Sequence, residues 1–150
     1  MKPKSYRKKA SRRTLRKPAP EYTTPDPVAA EVVDKVLVEL PQLLAVAVVD
    51  VKSGGCLAAH SNSPAINPST AATYNAEVVK QKQKAMAALQ LQDEQIEDIL
   101  VTLSSQLHLL QLTATGDRLI YLVVDAQDTS LALAREVLRE QVGQLKLVAG

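Results

Sequence analysis

The sequence predicts an α+β domain built on one antiparallel sheet of five strands, in the order helix, two strands, helix, three strands, helix. Three observations carry this prediction. Residues 43–49 (LLAVAVV) are seven apolar residues in succession, a run that suits a strand covered on both faces, and Asp50 and a Gly-Gly turn close it. Three short apolar segments between positions 96 and 124 are separated by gaps too short for a crossover, so they read as a meander. Amphipathic stretches at helical spacing lie before, between and after these strands. At 150 residues and 46% hydrophobic, the chain is large enough for one core. Aromatics are 3%, four Tyr with no Phe or Trp, so that core must be packed from Leu, Val, Ile and Ala. The same scarcity removes the stacking platforms on which single-stranded nucleic acid is held.

The first helix is announced by Asp26-Pro27, a capping carboxylate followed by Pro at N1, and Pro41 closes it. Between them Ala29, Val33, Val36 and Leu40, joined by Val28, Val32 and Leu37, form one face, with Glu31, Asp34, Lys35 and Glu39 opposite. The hairpin of residues 43–59 follows. Lys52, Ser53, Gly54 and Gly55 supply its turn, with Gly54-Gly55 offering positive φ. Strict alternation would put Cys56, Ala58 and His60 on one face of its second strand, and Leu57 and Ala59 on the other. Residues 61–70 (SNSPAINPST) are loop, and Asn67-Pro68 or Ser69 caps an Ala-rich helix over residues 71–91. Its apolar stripe reads Tyr74, Val78, Ala85 and Leu89, widened by Ala72, Ala76, Val79 and Met86, with a polar belt over residues 81–84. The strands of the meander span residues 96–104, 106–113 and 118–124. The Leu-rich middle one is also compatible with helix, but shortness and the nearby Thr102 and Thr113 favour strand. Asp128 or Ser130 caps the last helix, whose buried stripe is Leu131, Ala134, Leu138, Val142 and Leu145.

Charge divides the chain. Lys2, Lys4, Arg7, Lys8, Lys9, Arg12, Arg13, Arg16 and Lys17 lie in the first twenty residues without one acid. The other nine bases face all 16 acids, which leaves residues 21–150 at −7. With Pro3, Pro18 and Pro20 among so few apolar residues, residues 1–25 are expected to be a disordered basic arm before a domain of residues 26–150. Such an arm suits electrostatic attachment to nucleic acid or an anionic lipid surface. Equally open are a solubilising tail, one that folds back on the acidic body, a vector-derived leader and an organelle-targeting peptide. The single cysteine fits a reducing compartment, and no stretch approaches the ~20 apolar residues of a membrane span. A cytoplasmic protein is expected.

No catalytic set emerges from the motifs. The five glycines fit no phosphate-cradling loop. Cys56 and His60 invite a nucleophile and base reading, but at ~3.3 Å per residue their Cα atoms are about 13 Å apart in an extended strand. His108 lies within a strand without the neighbours of a metal site. Asp50 and Asp125 each end a strand and would converge only if those strands are similarly placed. Arg118 and Arg135 are imaginable as arginine fingers on a partner's nucleotide, with solvated charge the default. No enzyme activity, cofactor or metal is expected.

With this element order in place, AVAVVDVKSGGCLAA, AEVVKQKQKAMAAL, EDILVTLSSQLHLLQL and LIYLVVDAQDTSLALAREVL together resemble the roadblock family, of the dynein light-chain and bacterial gliding-motility regulator type. The resemblance spans roughly residues 27–145 and implies a roadblock fold, of the profilin and longin kind. It further implies a homodimer in which the middle helix and third strand meet their counterparts. Matched interface candidates are Val78, Val79, Ala85, Met86, Ile99, Val101 and Leu103. An edge strand carrying Ile96, Ile99, Val101 and Leu103 is in any case too apolar to leave unpaired. The resemblance implies as well a scaffold that binds a small Ras-like GTPase, with a role in promoting hydrolysis or in assembly.

Overall fold

Helix α1 (Pro27–Glu39) begins where its cap places it: the Asp26 carboxylate accepts hydrogen bonds from the backbone N–H groups of Val28 (3.0 Å) and Ala29 (3.1 Å). The structure, a computed structural model, describes residues 26–149; the arm of residues 1–25 lies outside them. After α1 come β1 (Ala45–Asp50), β2 (Cys56–Ser61), α2 (Pro68–Ala88), β3 (Asp98–Thr102), β4 (Gln106–Leu112), β5 (Arg118–Asp125) and α3 (Leu131–Ala149). This is the predicted order. Asn67 caps α2 through the N–H groups of Ser69 and Thr70, and Ser130, rather than Asp128, caps α3 through that of Leu133.

The strands form one antiparallel sheet in the order β2-β1-β5-β4-β3. Alternation sorts their side chains into two cores. Val46, Val48, Leu109, Ile120, Leu122 and Val124 pack beneath α1 and α3, which lie side by side on one face. Ala45, Ala47, Val49, Leu110, Leu119, Tyr121 and Val123 point to the other face, which α2 covers over β1 and β2. The small pairs Ala45 and Ala47, Ala72 and Ala76 let α2 approach the strands closely. No helix among the described residues is long and apolar enough to cross a membrane.

The β1–β2 turn is organised by Asp50, whose carboxylate accepts from the Ser53 N–H (2.9 Å) and hydroxyl (2.7 Å). Of the two glycines only Gly54 takes a positive φ, +76°. Its Cα faces the Thr73 backbone of α2, so the site also limits side-chain volume.

One expectation about faces is corrected. Cys56 and His60 do not share a face: Val48 opposes Ala58 and Val49 opposes Cys56, so Leu57 is an extra residue in a bulge. The bulge reverses the alternation, sending Cys56 towards α2 and leaving His60, opposite Val46, on the α1 side. In α2 the sheet-facing residues are Ala72, Ala76 and Val79, the small members of the predicted stripe. Tyr74, Val78, Ala85 and Leu89 face outward. Volume decides between the two stripes, because only the small one fits against strands lined with Ala.

Leu122, fully buried in the middle of β5, sets the test of this layering. Leu122→Ala is expected to cost about 2–5 kcal/mol, and Leu133→Ala on the outer face of α3 within about 0.5 kcal/mol of zero, both read from urea midpoints.

Candidate interaction surface

Helix α2 runs 21 residues, roughly 31 Å at 1.5 Å per residue, and its buried side chains end at Val79, just past the midpoint. Residues 81–90 hold no buried side chain, and Met86 alone among them is half-buried. Tyr74 is 70% exposed, Val78 44% and Leu89 65%, an apolar row with no covering element among the described residues. The helix nevertheless ends in a defined way. The Leu91 N–H reaches the Met86 carbonyl (2.8 Å) and the Gln90 N–H that of Ala87 (3.0 Å), with Gln90 at φ +61°. A non-glycine in that conformation costs about 1–2 kcal/mol, and the cap's hydrogen bonds offset it.

Edge strand β3 presents its apolar residues to the same side as α2. Ile99 opposes Leu110 and packs half-buried against the α2-side core, while Val101 opposes His108 and is 45% exposed. Leu103, just past the strand, is 46% exposed. The bonds from Leu103 to Gln106 and from Leu112 to Glu97 fix which β3 groups are used by β4. By antiparallel alternation, residues 97, 99, 101 and 103 bond to β4, and the N–H and C=O groups of Asp98, Leu100 and Thr102 point off the sheet edge. The strand is held rigidly on its other face, where Arg135 of α3 donates two hydrogen bonds to the Asp98 carboxylate (2.9 and 3.0 Å).

Of the seven interface candidates, Val78, Ala85, Val101 and Leu103 are therefore exposed on one side of the sheet, with Met86 and Ile99 half-buried beside them. Val79 is the exception. It is fully buried between α2 and the sheet and belongs to the protomer's core. Its place one position after Val78 turns it by about 100° around the helix, onto the sheet-facing side. The candidates Lys2, Lys4, Arg7, Lys8, Lys9, Arg12, Arg13, Arg16 and Lys17 lie outside the described residues.

The titratable groups singled out in the sequence are engaged in structural contacts. Burial pushes the Cys56 thiol up, against weaker opposing hydrogen bonding with the Ser69 side chain and the Ala58 backbone, which disfavours the thiolate a nucleophile needs. His60 bonds Asn62 at the solvent-exposed end of β2. Asp50 and Asp125 do not converge: β1 and β5 are neighbours but antiparallel, so Asp50 lies opposite Arg118 at one end and Asp125 opposite Gln106 at the other. Arg118 lies 3.8 Å from Asp26, which ties the start of β5 to the start of α1, and Arg135 is held by Asp98. Both arginines thus face carboxylates of their own chain. Among the described residues no three His, Cys, Asp or Glu side chains form a metal-binding group.

His108 sits in a small polar cluster on the α2 side of the sheet. Its Nδ1 lies 3.1 Å from the Tyr121 hydroxyl and its Nε2 2.9 Å from the Gln106 side-chain oxygen. A neutral imidazole satisfies both, accepting from Tyr121 and donating to Gln106. Burial lowers its pKa from the usual value, so as pH falls the unfolded chain takes up this proton first. The stability linked to His108 is then fully present above about pH 6.5 and is lost as pH falls through the lower folded-state value. Urea midpoints between pH 5 and 8 are expected to fall towards acid more steeply in the wild type than in His108→Gln; parallel curves would contradict this assignment.

No family model and no curated protein matches the chain. Solved structures do. The chain is similar to MglB from Myxococcus xanthus, at 18% identity and a TM-score of 0.68 over 85% of this chain and 92% of that one. It is similar also to a Roadblock/LC7 domain from Streptomyces avermitilis, at 11% identity and a TM-score of 0.66 over 80% and 96%. A third likeness is to the gliding protein MglB from Thermus thermophilus, at 21% identity and a TM-score of 0.65 over 83% and 90%. At these identities the likeness speaks to architecture, a five-stranded antiparallel sheet with helices on both faces. The chain has the roadblock fold.

Proposed function

We propose that this protein is a non-catalytic, dimeric adaptor or regulator of a small Ras-like GTPase, acting in the cytoplasm as a member of the roadblock family. The observation that carries the reading is the open apolar face shared by α2 and β3, next to an edge strand whose outward N–H and C=O groups find no partner among the described residues. A second copy of the chain meets both needs at once, extending the sheet through β3 and covering the α2 row. A regulatory role is supported by the fold's likeness to gliding proteins, and one MglB structure is itself described as having a tetrameric arrangement. The candidate nucleophiles and acids are all committed to turns, caps or packing, which favours binding over catalysis. A second reading is favoured by the nine bases of residues 1–20, namely attachment to nucleic acid or an anionic membrane through the arm.

Light scattering at tens of micromolar is expected to give the mass of a dimer, and Val101→Lys with Leu103→Lys to give a monomer of unchanged helicity; a monomeric wild type sinks the self-association reading. Capture from the native cell extract is expected to bring down a Ras-like GTPase in a nucleotide-dependent way. Deleting residues 1–20 separates the two functional readings. Retained GTPase binding supports the first, whereas loss of all partner binding, with a wild-type affinity falling steeply with salt, supports the second.

A further inference from the structure

The three residues of β3 whose backbone groups point off the sheet edge, Asp98, Leu100 and Thr102, turn their side chains to the α3 side of the sheet. They are held there to different degrees. Thr102 is exposed, and Leu100 is half-buried against the core beneath α1 and α3. Asp98 is fixed in orientation as well as place: Arg135 donates from Nε to Oδ2 at 2.9 Å and from Nη2 to Oδ1 at 3.0 Å, and the Asp98 side chain is only 12% exposed.

The residue before it is anchored too. The Glu97 carbonyl accepts from the Leu112 N–H and from the side-chain amide of Gln111, both at 3.0 Å, and Gln111, which opposes Asp98 in β4, is itself buried. At the other end the described tie is the Leu103 N–H on the Gln106 carbonyl, among exposed residues. The strand is thus anchored at its start and open at its end. Arg135 projects from a helix whose own packing does not involve β3, since Ala134, Val137 and Leu138 beside it lie in the core and α3 rests on α1, β4 and β5.

Resting on the dimer reading, we propose that the Arg135–Asp98 contact is a positioning device for self-association, through which α3 sets the affinity of the β3 edge for a second copy. By holding Asp98 it keeps the first edge-directed N–H and C=O groups in strand geometry before two copies meet. Arg135 acts through Asp98 and is a positioning residue. Ordering the backbone of one residue is worth about tenfold in an equilibrium constant, and an edge ordered beforehand does not lose that factor on association. The fork geometry matters because a lysine at this position keeps the charge but not the fixed orientation.

The test uses R135Q, D98N, R135K and the double variant D98N/R135Q in the full chain. Dimer dissociation is followed by analytical ultracentrifugation over a dilution series, and amide exchange of the dilute monomer by mass spectrometry. R135Q and D98N are each expected to weaken the dimer about tenfold, R135K by less, and the double variant no more than either single one, because the two side chains act as a unit. In the monomer, peptides covering residues 98–103 are expected to exchange about tenfold faster in R135Q than in the wild type, with those covering residues 45–50 unchanged. A dimer as tight in R135Q as in the wild type, or a double variant weakened by the product of the two single effects, overturns the positioning role and leaves the dimer standing. So does a weakened dimer whose β3 exchange is unchanged, or whose β1 exchange rises equally. A wild type monomeric at tens of micromolar overturns both readings.

Discussion

The structure depends on the antiparallel pairing of β1 with β5 at the centre of the sheet. Residues 45–49 and 119–124 are buried on both faces almost without exposure. Such a pair is stable only if both faces are covered, and each buried Val, Ile or Leu side chain contributes roughly 1.5–3 kcal/mol when it is. One face receives two helices, α1 and α3, and is closed. The other receives one helix, and α2 reaches it through Ala72, Ala76 and Val79, over β1 and β2. The asymmetry between two helices above and one below is what leaves β3 and the far half of α2 bare, and it is the physical origin of the candidate interface.

Much of this architecture is legible in the sequence because the signals are local. The Asp26-Pro27 and Asn67-Pro68 caps sit where helices must start, the apolar run before Asp50 marks a strand covered on both faces, and short gaps enforce the meander. What is not legible depends on register. No pattern in residues 56–60 reveals that Leu57 is an extra residue opposite β1, and that one residue moves Cys56 to the other side of the sheet from His60. The choice between the two apolar stripes of α2 is likewise set by what it packs against, since Ala45 and Ala47 leave room for Ala72 and Ala76 and not for Tyr74. Apolar character in an edge strand is a sound signal, and it points to Val101 and Leu103, which are exposed. Periodicity misplaces Val79 because it does not say which side of a mostly apolar helix is inward.

The polar side chains singled out in the sequence serve local structure. The Asp50 turn, the Asp26–Arg118 contact and the Arg135–Asp98 pair fix loops and edges, and His108 is held by Tyr121 and Gln106. Arg135 and Asp98 pin the first residue of β3 to α3, which would lower the ordering entropy that the proposed association costs.

The central claim, that a second copy closes the β3 edge, is tested most directly by amide hydrogen exchange read residue by residue by NMR over a range of protein concentrations. The Leu100 and Thr102 amides, which point off the edge, are predicted to gain protection as concentration rises through the dimerisation range, while the Val101 amide, bonded to β4, is protected throughout. Exchange at Leu100 and Thr102 that stays fast at every concentration would contradict the account.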